Sequence, residues 1–312
     1  MDLEEFLNEW HNDRPTVLVH TSGSTGKPKP LLVEKSRMEA SARITCNFLG
    51  LQQGDTALLC MPLDYIAGKM MVVRALTCGL RLIAVTPSGT PCWDERVDLA
   101  AMVPLQVWNL LQQRPSQLKR IRHLLIGGGA IDEALAEALA DFPNNVWSTY
   151  GMTETLSHIA LQRLNGAERS EWYTPFAGVR VSLNGEGCLL IDAPAVCEQP
   201  LTTNDIAVVE QGRFRILGRK DNVICSGGIK IQIEEVERLL KPHLETLFCI
   251  TKRKDERFGE AVVLLTEGDL CVAQTVCRQR LPKHWVPRYG LAVERIPLTG
   301  TGKVARKQAE QL

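Results

Sequence analysis

No stretch of this 312-residue chain approaches the roughly 18 consecutive apolar residues of a membrane-spanning helix. Its N-terminus, MDLEEFLNEW, is acidic where an export signal is basic and then apolar. Neither membrane insertion nor export is expected, and a cytoplasmic location is. Charge of one sign is lacking too: 36 Lys and Arg offset 36 Asp and Glu, so no net field draws the chain onto nucleic acid or an anionic membrane. Any anionic ligand must be held locally. Among 10 cysteines there is no CxxC, the closest pair being Cys271 and Cys277, and none of the 6 histidines pairs as HExxH. Zinc ribbons, redox motifs and zinc hydrolases need that tighter spacing. The thiols read as buried or idle in a reducing compartment, not as a disulfide framework.

With 45% hydrophobic and 23% charged residues the composition is that of a globular protein, and at about 150 residues per domain the length predicts two domains. Leu3, Phe6, Leu7 and Trp10 share one helical face, so residues 2–10 read as a short amphipathic helix that needs a surface to lie on. From Thr16 the run TVLVH reads as a strand feeding the polar stretch TSGSTGKPKP. Apolar runs at 56–61, 80–85 and 123–126 alternate with helical patterns at 68–78 and 132–140, which predicts a largely parallel α/β sheet. Further on, VVEQGRFRIL reads as a hairpin turning at Gln211 and Gly212, and IEEVERLLK as a helix. The change of texture places a domain boundary near residue 218, giving a large α/β domain over 1–218 and a small mobile α+β domain over 219–312.

The loop at 21–29, Thr-Ser-Gly-Ser-Thr-Gly-Lys-Pro-Lys, gathers backbone N–H groups, hydroxyls and ammonium groups, as a polyphosphate requires. It is not a Walker A loop, because only two residues separate Gly23 from Gly26 and Pro28 follows Lys27. That spacing excludes a P-loop NTPase. A flexible surface loop would explain the glycines but not the alternating hydroxyls or the Lys-Pro-Lys ending. A second cluster, Gly127-Gly128-Gly129, lacks dinucleotide-fold spacing and reads equally as a ligand loop or a tight turn. Then Ser148 to Thr155, STYGMTET, offers an aromatic face, hydroxyls and a carboxylate, which are parts for stacking a base and holding a metal.

These stretches, with TND at 203–205, GRKDNVICSGG from Gly218 and TGTGKVARK from Thr299, stand in the order found in adenylate-forming acyl-CoA ligases. The chain resembles that superfamily from about residue 16 to 307. The resemblance implies an enzyme that uses ATP, Mg²⁺ and coenzyme A to turn a small carboxylic acid into an acyl-adenylate and then a thioester. It also implies roles for individual residues. Thr21, Ser22, Gly23, Ser24, Thr25, Gly26 and Lys29 would hold the β- and γ-phosphates; Gly128, Gly129 and Gly151 would lie along the nucleotide; Tyr150 would pack against adenine. Thr153 would contact the α-phosphate and Glu154 would help to hold Mg²⁺. Asp205 and Arg219 would bind the ribose hydroxyls, the one accepting and the other donating. Lys303 would bridge carboxylate and phosphate in the transition state, Asp221 would be the hinge of the small domain, and Gly228 would lie by the pantetheine tunnel, where a side chain would obstruct.

Within the superfamily, MPLDYIAGKMMVVRAL, AAMVPLQVWNLL and YGMTETLSHIAL most resemble the o-succinylbenzoate:CoA ligases of menaquinone biosynthesis. Their substrate is a dianion, so a fixed cation is expected at the acyl pocket. Arg74 falls where those ligases have an arginine, Lys69 precedes it on the same helical stretch, and Tyr65 stands where relatives have a shielding residue. The plainer reading of both cations is a snorkelling surface side chain. Most relatives carry a long region before their phosphate loop, which here begins at residue 21. Either the fold is a compact variant, or a second subunit of a homodimer covers the open sheet edge. Ligases for other aromatic or aliphatic acids, carrier-protein loading enzymes and a non-catalytic nucleotide-binding relative are the competing readings. No carrier domain is expected after Leu312, and the occupied positions Glu154, Asp205 and Lys303 speak against a decayed enzyme.

Overall fold

The computed structural model describes residues 1–20, 30–129, 131–298 and 304–312. They divide into two units: Met1–Ser182 with Leu190–Leu201 and Val209–Arg215, and Ile216–Leu312 with Leu183–Leu189 and Thr202–Val208. In chain order the first begins α1 (Leu3–His11), β1 (Thr16–His20), β2 (Pro30–Glu34), α2 (Lys35–Leu49), β3 (Thr56–Leu59), α3 (Ile66–Cys78), β4 (Arg81–Ala84) and β5 (Val97–Met102). It continues with α4 (Pro104–Gln113), α5 (Pro115–Leu118), β6 (Ile121–Ile126), α6 (Glu133–Leu139), β7 (Asn145–Gly151), β8 (His158–Arg163) and β9 (Thr174–Pro175).

Seven of these strands form one sheet in the order β4-β3-β5-β6-β7-β8-β9. The first five run parallel, and β8 and β9 continue the sheet antiparallel. All of β3 is buried, as is β6 apart from Arg122. Parallel strands covered on both faces read as unbroken apolar runs for this reason. Val97, Ala100, Leu110, Leu124, Leu139 and Val146 knit the sheet to α4 and α6 in one core. The strand that feeds the polar loop returns as β2, in antiparallel register with β1 from Thr16↔Glu34 to His20↔Pro30.

The amphipathic reading of the N-terminus holds: α1 buries Phe6 and Trp10. A reciprocal cap starts it, Asp2 Oδ1 accepting from the Glu5 amide at 2.8 Å while Glu5 Oε2 accepts from the Asp2 amide at 2.9 Å. Next to it, α3 packs on α2 and buries every residue from Gly68 to Ala75, both cations included.

Beyond this lie β10 (Arg180–Leu183), β11 (Cys188–Asp192), β12 (Leu201–Glu210) and β13 (Arg213–Arg219), a four-stranded sheet in that order. The turn from β12 to β13 holds Gln211 and Gly212 at positive φ, 50° and 75°, as a tight hairpin requires. The last elements are β14 (Val223–Ser226), β15 (Ile229–Gln232), α7 (Ile233–Leu240), β16 (Phe248–Asp255), β17 (Gly259–Thr266), α8 (Leu270–Arg280), β18 (Tyr289–Ala292) and α9 (Arg306–Ala309). Ile224, Ile231, Val236, Ile250, Leu264 and Cys277 form their core. Among the described residues no helix is long and apolar enough to cross a membrane.

Gly68 fixes how α3 enters this arrangement, because a Cβ there would lie 2.3 Å from the carbonyl oxygen of Pro62. Alanine is the better helix former by about 1 kcal/mol, but overpacking against backbone typically costs about 1–3 kcal/mol. Gly68→Ala should therefore lower stability in urea unfolding; a stabilised variant would show that α3 can move away at no cost.

Candidate functional site

In parallel α/β sheets ligands gather beyond the carboxyl ends of the strands, and there the first unit collects its matched stretches. After β6 the chain enters Gly127–Gly129, the Gly127 amide donating to Met102 O at 3.0 Å. A Cβ on Gly127 would lie 2.3 Å from Thr149 Oγ1 of the neighbouring β7, so glycine is required by close approach. Gly128 follows at φ 74°. At the end of β7, Gly151 plays the same part: its Cβ would meet Ser157 O at 2.2 Å, where the β7–β8 register is irregular.

Tyr150 packs edge-on against Phe214, centroids 4.9 Å apart, and at 5.7 Å from Tyr173, whose ring stacks on Phe214. The turn Thr153–Thr155 is held by Thr155, whose hydroxyl accepts from the Met152 amide at 2.9 Å and lies 2.7 Å from Ser157 O. It buries Thr153, exposes the Glu154 side chain and leaves Leu156 at φ 64°. The Glu154 carbonyl accepts from the Cys197 thiol at 3.3 Å. Among the described residues no three His, Cys, Asp or Glu side chains gather to hold a metal. A lone exposed carboxylate suits Mg²⁺, which keeps waters and takes most of its ligands from substrate phosphates.

Arg74 and Lys69 are each only 2% exposed, so neither is the snorkelling surface residue of the plainer reading. They do not converge. Lys69 Nζ turns to the N-terminal elements, 3.0 Å from Leu18 O, 3.4 Å from Glu9 Oε2 and 5.1 Å from the Phe6 centroid. Its charge is answered within the fold, by Glu9 and the Leu18 carbonyl, on a different side from Arg74. Arg74 instead donates from Nη2 to Ser157 Oγ at 2.5 Å and from Nη1 to Met71 Sδ at 3.7 Å, while its buried Nε has no partner among the described residues. Burial lowers its pKa to about 10, against a smaller opposing pull from the thiols of Cys46 and Cys78; it stays charged at neutral pH, with no carboxylate beside it among the described residues. Tyr65 is exposed and stands at the N-cap position of α3 without a side-chain capping hydrogen bond.

The second unit assembles three matched residues around one guanidinium. Arg219 Nη1 donates to Asp205 Oδ1 at 3.3 Å and Nη2 to Asp221 Oδ2 at 2.7 Å, while Gln232 Nε2 donates to the Arg219 carbonyl at 3.0 Å. Gly228 lies in the β14–β15 turn at φ 84°, where a Cβ would meet nothing within 4 Å. The positive φ favours glycine in its own right, and a Cβ would point into open space rather than against protein. Thr21, Ser22, Gly23, Ser24, Thr25, Gly26, Lys29 and Lys303 lie outside the described residues.

Sequence reasoning missed Thr45, Ser157 and His158, which stand behind Arg74. Thr45 comes from the middle of α2 and carries no local signal; Ser157 and His158 lie inside the matched YGMTETLSHIAL but are given no role by the resemblance.

The pattern of the AMP-binding enzyme family matches residues 4–193. An acyl-CoA synthetase (AMP-forming)/AMP-acid ligase II-like protein from Dyadobacter fermentans is 32% identical, with TM-score 0.67 over 98% of this chain and 92% of that one. A 2-succinylbenzoate–CoA ligase of Bacillus mycoides is 26% identical over 99% of this chain and 73% of its own length. The fold is shared with the Bacillus subtilis o-succinylbenzoate coenzyme A synthetase in complex with ATP and magnesium ion, at TM-score 0.78 and 22% identity over 93% of this chain and 69% of that one. The chain belongs to the AMP-binding enzyme family, the superfamily of adenylate-forming acyl-CoA ligases.

Two buried histidines make a prediction. Burial, with Arg122 and Arg163, lowers the His123 pKa to about 4, and burial with Arg74 holds His158 well below its ordinary value. Both are neutral when folded, whereas an unfolded chain protonates them near pH 6.5. The unfolded state thus binds more protons below that pH, and stability present above it is lost as pH falls towards 4. The melting temperature should drop by several degrees between pH 7 and 5; a flat profile would contradict the burial of these rings.

Proposed function

We propose that the protein is an ATP-dependent acid:CoA ligase that activates o-succinylbenzoate. The observation that carries the substrate class is Arg74, a buried guanidinium with an unpartnered Nε and no carboxylate partner among the described residues. A charge in that setting calls for an anion, and the ring carboxylate of a dianionic acid supplies one.

In the first step an oxygen of the succinyl carboxylate attacks the α-phosphorus of ATP, and the bond to the departing pyrophosphate breaks. The sulfur of coenzyme A then attacks the acyl carbon, and AMP leaves with the electron pair of the C–O bond. Tyr150, on its aromatic base of Phe214 and Tyr173, offers a flat face to adenine. Thr153 on its locked turn donates to the α-phosphate as charge builds there. Glu154 would hold Mg²⁺, which supplies positive charge at the phosphates. Asp205 accepts from a ribose hydroxyl while remaining paired with Arg219. Lys303, by its place in the TGTGKVARK stretch, bridges the reacting carboxylate and phosphate.

The test is acid-dependent release of pyrophosphate from ATP, with and without CoA, over o-succinylbenzoate, benzoate, cinnamate and medium-chain fatty acids, with thioester detected by mass. A response to o-succinylbenzoate alone is expected. Turnover of another acid would overturn the substrate, and silence from folded protein would overturn the reaction. Lys303→Ala should abolish adenylate formation yet largely spare thioester formation from supplied adenylate; equal loss of both steps would remove its assigned role.

A further inference from the structure

Behind Arg74 lies a line of hydrogen bonds that one order of protons satisfies from end to end. The Thr45 hydroxyl donates to Ser41 O at 3.1 Å, and a carbonyl can only accept. That uses its one proton, so towards His158 Nε2, 3.1 Å away, Thr45 Oγ1 must accept and the ring must donate. A neutral imidazole protonated at Nε2 has a bare Nδ1. Ser157 Oγ, 3.2 Å from Nδ1, therefore donates to the ring and turns its lone pairs on Arg74 Nη2 at 2.5 Å. Protonating His158 at both nitrogens would set a second cation beside the guanidinium and deprive the Ser157 proton of its acceptor. Phe176 packs edge-on to the imidazole at 5.5 Å and limits how it can turn.

We propose that Thr45, His158 and Ser157 form a proton-ordered chain that positions Arg74 for the second carboxylate of the acid and so sets selectivity for dianionic substrates. The inference rests on the reading that Arg74 meets the substrate. The chain holds one Nη of the guanidinium with a neutral oxygen, leaves Nε unpartnered and leaves the positive charge intact. These three are positioning residues, and the bond-making steps do not pass through them.

The test compares kcat/KM for o-succinylbenzoate with that for 4-oxo-4-phenylbutanoate, which keeps the carboxylate to be activated and lacks the one on the ring. Arg74→Met should collapse the preference for the dianion by about tenfold or more, the scale of a hydrogen bond to a charged group. His158→Leu should do the same through the KM of the acid, leaving the KM of ATP within about twofold. His158→Gln, which can accept from Ser157 and donate to Thr45, should restore most of the preference, and Ser157→Ala should lose it. If Arg74→Met collapses the preference while His158→Leu keeps it, or if Leu and Gln lose it equally, the chain does not position Arg74. If Arg74→Met leaves the preference unchanged, the underlying reading of Arg74 fails instead. Nitrogen-15 spectra of the unmodified protein add a readout independent of how the variants fold: His158 should be protonated at Nε2 and bare at Nδ1, and the opposite tautomer or a doubly protonated ring would overturn the proposal.

Discussion

A guanidinium taken out of water without a counter-ion costs several kcal/mol, and the packing of the first unit answers that cost at Arg74. The α3 helix cannot drift, because Gly68 lies against the Pro62 carbonyl and Lys69 is anchored to Glu9 and Leu18 O. From the other side α2 and β8 present Thr45 and Ser157-His158, so that one hydroxyl and one thioether meet the cation. Even so its pKa of about 10 leaves it charged. On the proposed reading, the second carboxylate of the acid is the anion that completes this site.

On the nucleotide side the constraints are steric. A Cβ on Gly127 would meet the Thr149 hydroxyl of β7 and one on Gly151 the main chain of Ser157 and His158, and the Thr153–Thr155 turn is locked by main-chain groups bonded to one hydroxyl. In the second unit Arg219 uses separate nitrogens for Asp205 and Asp221. One carboxylate can therefore be released while the other stays bound. If Asp221 serves as a hinge and Asp205 binds ribose, this division lets the backbone rotate without dismantling the ribose contact.

Much of the fold was legible because buried parallel strands and amphipathic helices leave period and composition behind: TVLVH, HLLI and the α1 stripe all became the elements they resemble. β2 left little trace, since half of what makes it a strand is its partner β1. The two cations on α3 could not be sorted from sequence. They lie five residues apart, about 140° around a helix, so proximity along the chain carried Lys69 away from Arg74, and only the positions of α1 and β8 show which neighbour answers which charge. At Gly228 the positive φ adds a reason for glycine that the sequence does not show.

The chemistry behind Arg74 also bears on why its support is neutral. Had a carboxylate held the guanidinium, the two charges would cancel, and a ligand carboxylate at about 4 Å would forfeit an attraction of order 4 kcal/mol at an effective dielectric of 20. A hydroxyl fixes direction without cancelling charge. For a hydroxyl to serve, however, its own proton must be drawn away from the cation, and an imidazole presenting a bare nitrogen draws it. That nitrogen stays bare only while the other carries the ring's single proton, which Thr45 enforces by giving its own proton to Ser41 O. On this argument a neutral histidine beside an arginine that has no carboxylate partner among the described residues is no anomaly of the core, but the arrangement that keeps a buried positive charge both oriented and unspent.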